Sequence, residues 1–208
     1  ILSEVFSSIA VSTDSSKILN LASKYGADGW FLRSKKLSGD KVGKLPVIKN
    51  LLDQSEKKFN LRYDYIVDLD ITAPLRTVSD IKKAIKKIIK EKKRNLVTIT
   101  DSSRNPYFNM IEISNGKPRI SKKINGVKFV SRQDAPKVFD LSPSIFIWRR
   151  DSMFEYNKIS SNTSLYYLPK ERAIDIDTKI DLEFVKFLLR KNKWIIKKKY
   201  YLKISLVL

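Results

Sequence analysis

The chain has 208 residues, enough for one sizeable domain with a buried core. Its 42% hydrophobic and 31% charged residues belong to a folded protein, not to a disordered tail. Cysteine and histidine are both absent, which excludes disulfides, thiolate or imidazole metal sites, a cysteine nucleophile and any Ser-His-Asp arrangement. A net charge of +20 invites nucleic acid as a partner, but the excess is lysine scattered along helical stretches such as Lys82, Lys83, Lys86, Lys87, Lys90, Lys92 and Lys93, which reads as a solvated face.

The first element is the apolar run Ile9-Ala10-Val11, a strand ending in Ser12-Thr13-Asp14. Helical spacing follows at Ile18, Leu19, Leu21 and Ala22, with Gly26 where a helix C-terminus favours a left-handed residue. Leu45, Val47, Ile48, Leu51 and Leu52 predict a second helix, and Tyr65-Ile66-Val67 a buried strand ending near Asp70. Thr77 and Asp80 have capping-box spacing. Ile81, Ala84, Ile85, Ile88 and Ile89 then form one apolar stripe of a long basic helix.

Leu96-Val97-Thr98-Ile99 is the next strand, and the alternation of strand and helix predicts a parallel sheet covered on both faces. Between Asn105 and Arg132 the pattern changes to short strands punctuated by Asn115-Gly116 and Asn125-Gly126, both favourable hairpin turns, so a β-rich insertion over 105–140 is expected. Ser144 to Trp148 and Leu165 to Leu168 return to strand character, and Ile180 to Leu189 is a final amphipathic helix. The tail from Lys191 alternates lysine with Ile, Tyr and Leu and suits an edge strand or an unordered end. No apolar run of about 18 residues and no signal-like start are visible, which predicts no membrane span and a cytoplasmic protein.

The remaining chemical toolkit is carboxylates, hydroxyls, lysine, arginine and a hard metal ion, which suits phosphoryl and nucleotidyl transfer. Asp175 and Asp177 lie two apart before the last helix; in extended backbone both carboxylates face one spot, where a hard cation could bind. The alternative is that Asp177 or Thr178 merely caps the helix. Asp68 and Asp70 repeat the spacing at the end of a buried strand, where open α/β sheets bind ligands, and Arg76 follows where its fork could meet a phosphate or carboxylate. Here the bland alternative is a strand-to-helix loop in which Arg76 pairs with an acidic neighbour.

Five separated segments, in order, resemble the acylneuraminate cytidylyltransferases. They are Val11-Ser12-Thr13-Asp14 with Tyr25-Gly26-Ala27, then Leu32-Arg33 with Leu37-Ser38-Gly39-Asp40. Thr72-Ala73-Pro74-Leu75-Arg76, Arg132-Gln133, and Ile174-Asp175-Ile176-Asp177-Thr178 with Asp181 complete the series. The resemblance implies a single Rossmann-like α/β nucleotidyltransferase domain over 1–208, a three-layer sandwich, with the β-rich insertion serving a homodimer. It implies transfer of CMP from CTP to an acidic nine-carbon sugar with Mg²⁺ as cofactor. By residue, Asp175 and Asp177 would hold the metal and act with Arg132 as catalytic groups. Arg33, Asp40 and Lys44 would face the nucleotide, and Asp70, Thr72, Arg76 and Gln133 the substrate.

Departures accompany the matches. The family opens with a strand and a phosphate loop of the form Arg-x-Gly-Ser-Lys, and this chain starts beyond the position of that loop. An unpaired side of the central sheet and weak CTP binding by residues 1–208 alone are therefore expected. Gly43-Lys44 stands where a serine pair is common, Arg33 precedes Ser34 and not proline, and Asp70 replaces a glutamine. A catalytically silent binding or scaffold homologue is the main rival reading, and a basic nucleic-acid-binding domain a third that lacks an RNP-like motif or recognition helix.

Overall fold

The computed structural model describes residues 4–153 and 159–191. The first strand, β1 (Ala10–Thr13), leads into helix α1 (Ser16–Lys24), whose first turn is capped by the Ser15 hydroxyl accepting from the Ile18 N–H. Gly26 has φ +86°, the left-handed conformation the sequence calls for after a helix. The chain then forms β2 (Gly29–Leu32), parallel to β1, a strand too short to stand out in the sequence. Helix α2 (Lys44–Phe59) ends at Asn60, itself left-handed with φ +51°.

Strand β3 (Tyr65–Asp68) precedes helix α3 (Val78–Glu91) and strand β4 (Asn95–Asp101). The start of α3 is the capping box read from the sequence: the Asp80 N–H donates to the Thr77 hydroxyl, and the Asp80 carboxylate accepts from the Thr77 N–H. Strands β5 (Ile111–Ser114) and β6 (Lys117–Ile120) form a hairpin whose turn residues Asn115 and Gly116 both have positive φ, as a two-residue hairpin of this hand demands. At Asn125-Gly126 the expected hairpin is reduced to one bridge between Ile124 and Val127. Strand β7 (Phe139–Arg149), strand β8 (Thr163–Tyr167) and helix α4 (Lys179–Lys191) complete the described chain. The lysine-rich tail beyond residue 191 lies outside the described residues.

The main sheet has the order β3-β7-β4-β8. It corrects the expectation of a purely parallel sheet: β7 runs antiparallel to both β3 and β4, while β4 and β8 are parallel. The long excursion between β4 and β7 returns the chain from the far end of β4, so β7 must run back along it. The alternation of β7 still sorts its side chains by face. Ile145 and Ile147 pack with Ile81, Ala84 and Ile88 of α3, whereas Phe146 and Trp148 pack with Leu45, Ile48 and Leu52 of α2. The result is three layers, helix, sheet and helix. Each fully buried aliphatic side chain in them, such as Ile88, Leu96, Ile145 and Ile147, stabilises the fold by about 1.5–3 kcal/mol before ordering costs.

Two irregularities position the site. The pairing of β4 with β7 jumps between Val97 and Thr98, from Phe146 to Ser142, and the bulged stretch carries Pro143, which has no N–H to give a ladder. The buried Thr98 hydroxyl fills the break by donating to the Ser142 carbonyl at 2.8 Å and accepting from the Ile145 N–H at 3.1 Å. The second irregularity is an opening. Among the described residues β1 pairs only with β2 and β3 only with β7. A cavity of about 310 Å³ separates the two strands, walled by Ile9, Ala10, Ile66 and Val67 and floored by helix side chains such as Leu51 and Ile85. No described helix is long and apolar enough to cross a membrane.

Candidate active site

The carboxyl end of β3 gathers most of the residues singled out in the sequence. Asp68 is the last residue of β3 and Asp70 follows two positions later. The Lys44 ammonium, at the first turn of α2, reaches both: 2.6 Å to Asp68 Oδ2 and 2.7 Å to Asp70 Oδ2. Asp70 Oδ1 accepts from the Thr72 hydroxyl at 3.0 Å and the Thr72 N–H at 3.3 Å, a local turn that fixes the loop after the strand. From the same loop, the Thr72 carbonyl accepts from the Ile176 N–H at 2.8 Å. That bond ties the Asp175–Asp177 segment, a hundred residues away in sequence, to the end of β3.

Arg76 locks this loop from beneath. Its Nη1 donates to the carbonyls of Asp70 at 2.6 Å, Ala73 at 2.8 Å and Ser144 at 3.0 Å, the last belonging to the bulge of β7. The guanidinium expected to meet substrate thus makes its described contacts to backbone, and it supports the loop that presents Asp70 and Thr72.

The Asp175–Asp177 stretch precedes α4, and of the two capping residues weighed in the sequence, Asp177 and Thr178, it is Thr178 that caps, together with Asp181. Asp181 Oδ2 accepts from the Thr178 N–H and hydroxyl, both at 2.7 Å, and Thr178 Oγ1 accepts from the Asp181 N–H at 3.3 Å. Thr178 caps the helix, so neither Asp175 nor Asp177 spends its carboxylate on that task. Asp175 Oδ1 is buried with no hydrogen-bond partner, an orphan acceptor of the kind a cation or ligand donor satisfies.

Arg33 stands at the end of β2, where its N–H donates to the Thr13 carbonyl. Its guanidinium donates from Nε to the Ser38 hydroxyl at 3.3 Å and approaches Asp14 at 3.8 Å. Arg33, Ser38, Gly39 and Lys44 line a common cleft of about 190 Å³. Asp40 sits exposed in the turn just beyond Gly39. The structure does not bring Arg132 and Gln133 to this cluster: both are exposed, and Arg132 Nη1 donates to the Ser103 carbonyl at 3.3 Å beyond the end of β4. The Ser103 hydroxyl in turn accepts from Lys170, five residues before Asp175.

The electrostatics follow from burial. Asp68, with 1% of its side chain exposed, has its pKa raised, because desolvation outweighs the nearby ammonium. Asp70 goes the other way: burial would raise it, but hydrogen bonds from Lys44 and Thr72 hold it below the ordinary carboxylate value. For Lys44, burial would lower the pKa, and the two carboxylates outweigh that and raise it. Arg76 is pushed down to about 10 by burial, against the pull of Asp70 and Asp68. Asp68 was visible in the sequence as the partner of Asp70 at strand spacing but was not assigned a role. The aromatic wall of Phe146 and Trp148 beside it carried no sequence signal beyond strand character.

This geometry puts cations, hydroxyls and carboxylates from β2, α2, β3 and the segment before α4 around the carboxyl end of an α/β sheet. The model of the cytidylyltransferase family matches residues 1–203. The chain belongs to the cytidylyltransferase family. This cytidylyltransferase is 41% identical over 188 residues to the CMP-N,N'-diacetyllegionaminic acid synthase of Campylobacter jejuni, covering 90% of this chain and 79% of that protein. It is 38% identical over 191 residues to the post-translational flagellin modification protein B of Campylobacter coli, covering 91% and 80% of the two chains. Among solved structures, CMP:2-keto-3-deoxy-manno-octonic acid synthetase complexed with CTP superposes with a TM-score of 0.58 at 11% identity, over 90% of this chain and 83% of that one. At that identity the likeness speaks for a shared nucleotidyltransferase fold.

Proposed function

We propose that this chain transfers the cytidylyl group of CTP to a hydroxyl of a nonulosonic acid, an acidic nine-carbon sugar. The sugar oxygen bonds to the α-phosphorus, the bond from that phosphorus to the bridging oxygen breaks, pyrophosphate leaves, and the hydroxyl proton passes to solvent. The observation that carries this reading is the bond from the Ile176 N–H to the Thr72 carbonyl, which brings the two-carboxylate segment to the Lys44–Asp70 cluster. The family membership and the activity named for the Campylobacter jejuni relative support it.

Asp175 and Asp177 are the residues that would hold Mg²⁺, and the orphaned Asp175 Oδ1 suits a hard cation. Such an ion commonly takes one or two carboxylates and completes its shell with substrate phosphates. When bound, the ion would neutralise charge developing on the phosphates. Arg33, in the cleft it shares with Lys44, supplies a fork for phosphate oxygens, with Asp40 at the cleft's outer turn. Asp70 and Thr72 face the acceptor sugar from the loop that Arg76 holds rigid. Arg132 and Gln133 act from the excursion after β4. Exposed apolar side chains on that excursion, with Ile111 at 67%, Ile113 at 77% and Val130 at 80%, support its use as a homodimer surface. We place the reaction in the cytoplasm, where CTP is available.

The test is pyrophosphate release, which should require CTP, Mg²⁺ and a nonulosonic acid together. The Asp175→Ala, Asp177→Ala double variant should lose at least about 100-fold in rate while melting as the parent does, since Thr178 and Asp181 cap α4. Unchanged turnover in that variant would remove the metal assignment.

A further inference from the structure

Residues 173–177, which carry Asp175 and Asp177, lie between β8 and α4 and join no strand ladder among the described residues. An extended segment outside a sheet has no ladder to fix its register, so its place is set by whatever fastens its middle and its ends. The middle is held by the Ile176 bond to the Thr72 carbonyl, and the far end by the Thr178–Asp181 cap. The near end leaves the short helical turn Lys170–Arg172, where the fastening is a side chain. Arg172 Nε and Nη2 donate to Asp80 Oδ2 and Oδ1, each at 3.1 Å, a two-bond fork that fixes direction as well as distance.

Asp80 is better equipped than a helix cap requires. Its Oδ2 accepts from the Thr77 N–H at 2.8 Å and the Thr77 hydroxyl at 2.7 Å, and that alone completes the box at the start of α3. Its Oδ1 is left for Arg172 and for the Tyr166 hydroxyl of β8, at 3.2 Å. With 4% of the Asp80 side chain exposed, water screens this junction little. One buried carboxylate thus joins the first turn of α3, strand β8 and the turn that precedes Asp175. Thr77 directly follows Arg76, the residue that locks the Asp70 loop, so the junction stands on the same frame as the Lys44–Asp70 cluster. Resting on the cytidylyltransfer reading, we propose that Asp80 and Arg172 are positioning residues: their fork sets where the 173–177 segment leaves the sheet, and so places the Asp175 and Asp177 carboxylates at the end of β3.

The experiment combines amide hydrogen exchange with pyrophosphate release on the same preparations of the chain. Arg172→Met should accelerate exchange of the Ile176 N–H about tenfold or more beyond any acceleration at Leu96 and Ile147 in the main sheet, since only the fastened segment opens. General loss of stability gives Ile176 no such excess. The Mg²⁺ concentration for half-maximal release should rise about tenfold, as when a group supporting metal ligands is removed, and the KM for CTP should change less than about twofold. Arg172→Lys keeps the charge but not the fork and should recover part of both effects. Asp80→Asn, which can still accept from Thr77, should show the same excess at Ile176, and the double variant should be no worse than the worse single one, because both changes break one junction. No excess at Ile176 in either single variant, or effects that add in the double variant, would overturn the positioning role and leave cytidylyl transfer standing. The exchange readout needs no turnover, so a parent that releases no pyrophosphate would overturn the transfer reading by itself.

Discussion

Replacing Lys44 with methionine removes the ammonium that lies 2.6 Å from Asp68 and 2.7 Å from Asp70, leaving two carboxylates to face each other. Removing one partner of a buried ion pair costs about 3–5 kcal/mol. The Lys44 side chain is 37% exposed, so water screens part of the effect, and about 2–3 kcal/mol is expected near neutral pH. For a chain of this size, 1 kcal/mol moves the melting midpoint by about 2–4 °C, so the variant should melt roughly 5–10 °C lower.

The pH dependence gives the test its edge. The Asp68 carboxyl is raised above its ordinary value by burial even with Lys44 present, and the substitution raises it further. A carboxyl whose folded pKa is raised destabilises the fold as pH climbs through that pKa, and the penalty disappears on acidification as it takes up its proton. Asp70, held low mainly by Lys44 and Thr72 against burial, gives the parent stability that is lost as pH falls, which closes the gap from the other side. Thermal melts of parent and variant at about pH 8 and about pH 3, below the ordinary aspartate value of about 3.9, should therefore converge at the lower value. A deficit equal at both pH values, or no deficit at either, would refute a charge-based role for Lys44.

Arg76→Met should destabilise by about 2–3 kcal/mol, because it leaves the Asp70, Ala73 and Ser144 carbonyls without the donor that Nη1 supplies, and calorimetry should show the loss while circular dichroism keeps the helix content. Asp181→Ala should speed amide exchange in the first turn of α4, since it removes the carboxylate that accepts from Thr178. Asp80 should contribute to acid sensitivity. Burial would raise its pKa, but bonds from Thr77 and Arg172 hold it low, so its contribution is present above the unfolded value and lost as pH falls. An Asp80→Asn variant should be less stable than the parent near neutrality and approach it in urea denaturation below about pH 4.

Local chemistry made much of the fold legible. The Thr77/Asp80 spacing, the Asn115-Gly116 turn and the left-handed Gly26 are decided by neighbouring atoms, and all three stand as read. The direction of β7 was not legible: alternation tells which side chains share a face, and a strand has the same alternation read in either direction. β2 escaped notice because four residues beginning with glycine give too little pattern. Within the site, the i, i+2 rule found Asp68 with Asp70 and Asp175 with Asp177. It could not foresee that Lys44, 24 positions before Asp68, would be delivered between the first two by the start of α2. Arg76 was recognised as a fork, but its acceptors depend on a bulge that only tertiary pairing creates. Arg132 and Gln133 sit on an exposed excursion, where no local rule says what faces them.

The opening between β1 and β3 has a consequence of its own. Among the described residues, the edges of β1 and β3 that line this apolar gap have no strand paired to them, and each offers main-chain hydrogen-bonding groups. Recognition of that kind reads main chain, which every polypeptide has. What could insert is therefore selected by the fit of its side chains against Leu51 on one side and Ile85 on the other, and by how readily it extends. The same opening makes this edge of the molecule the place where concentrated solutions would first begin to share strands between copies.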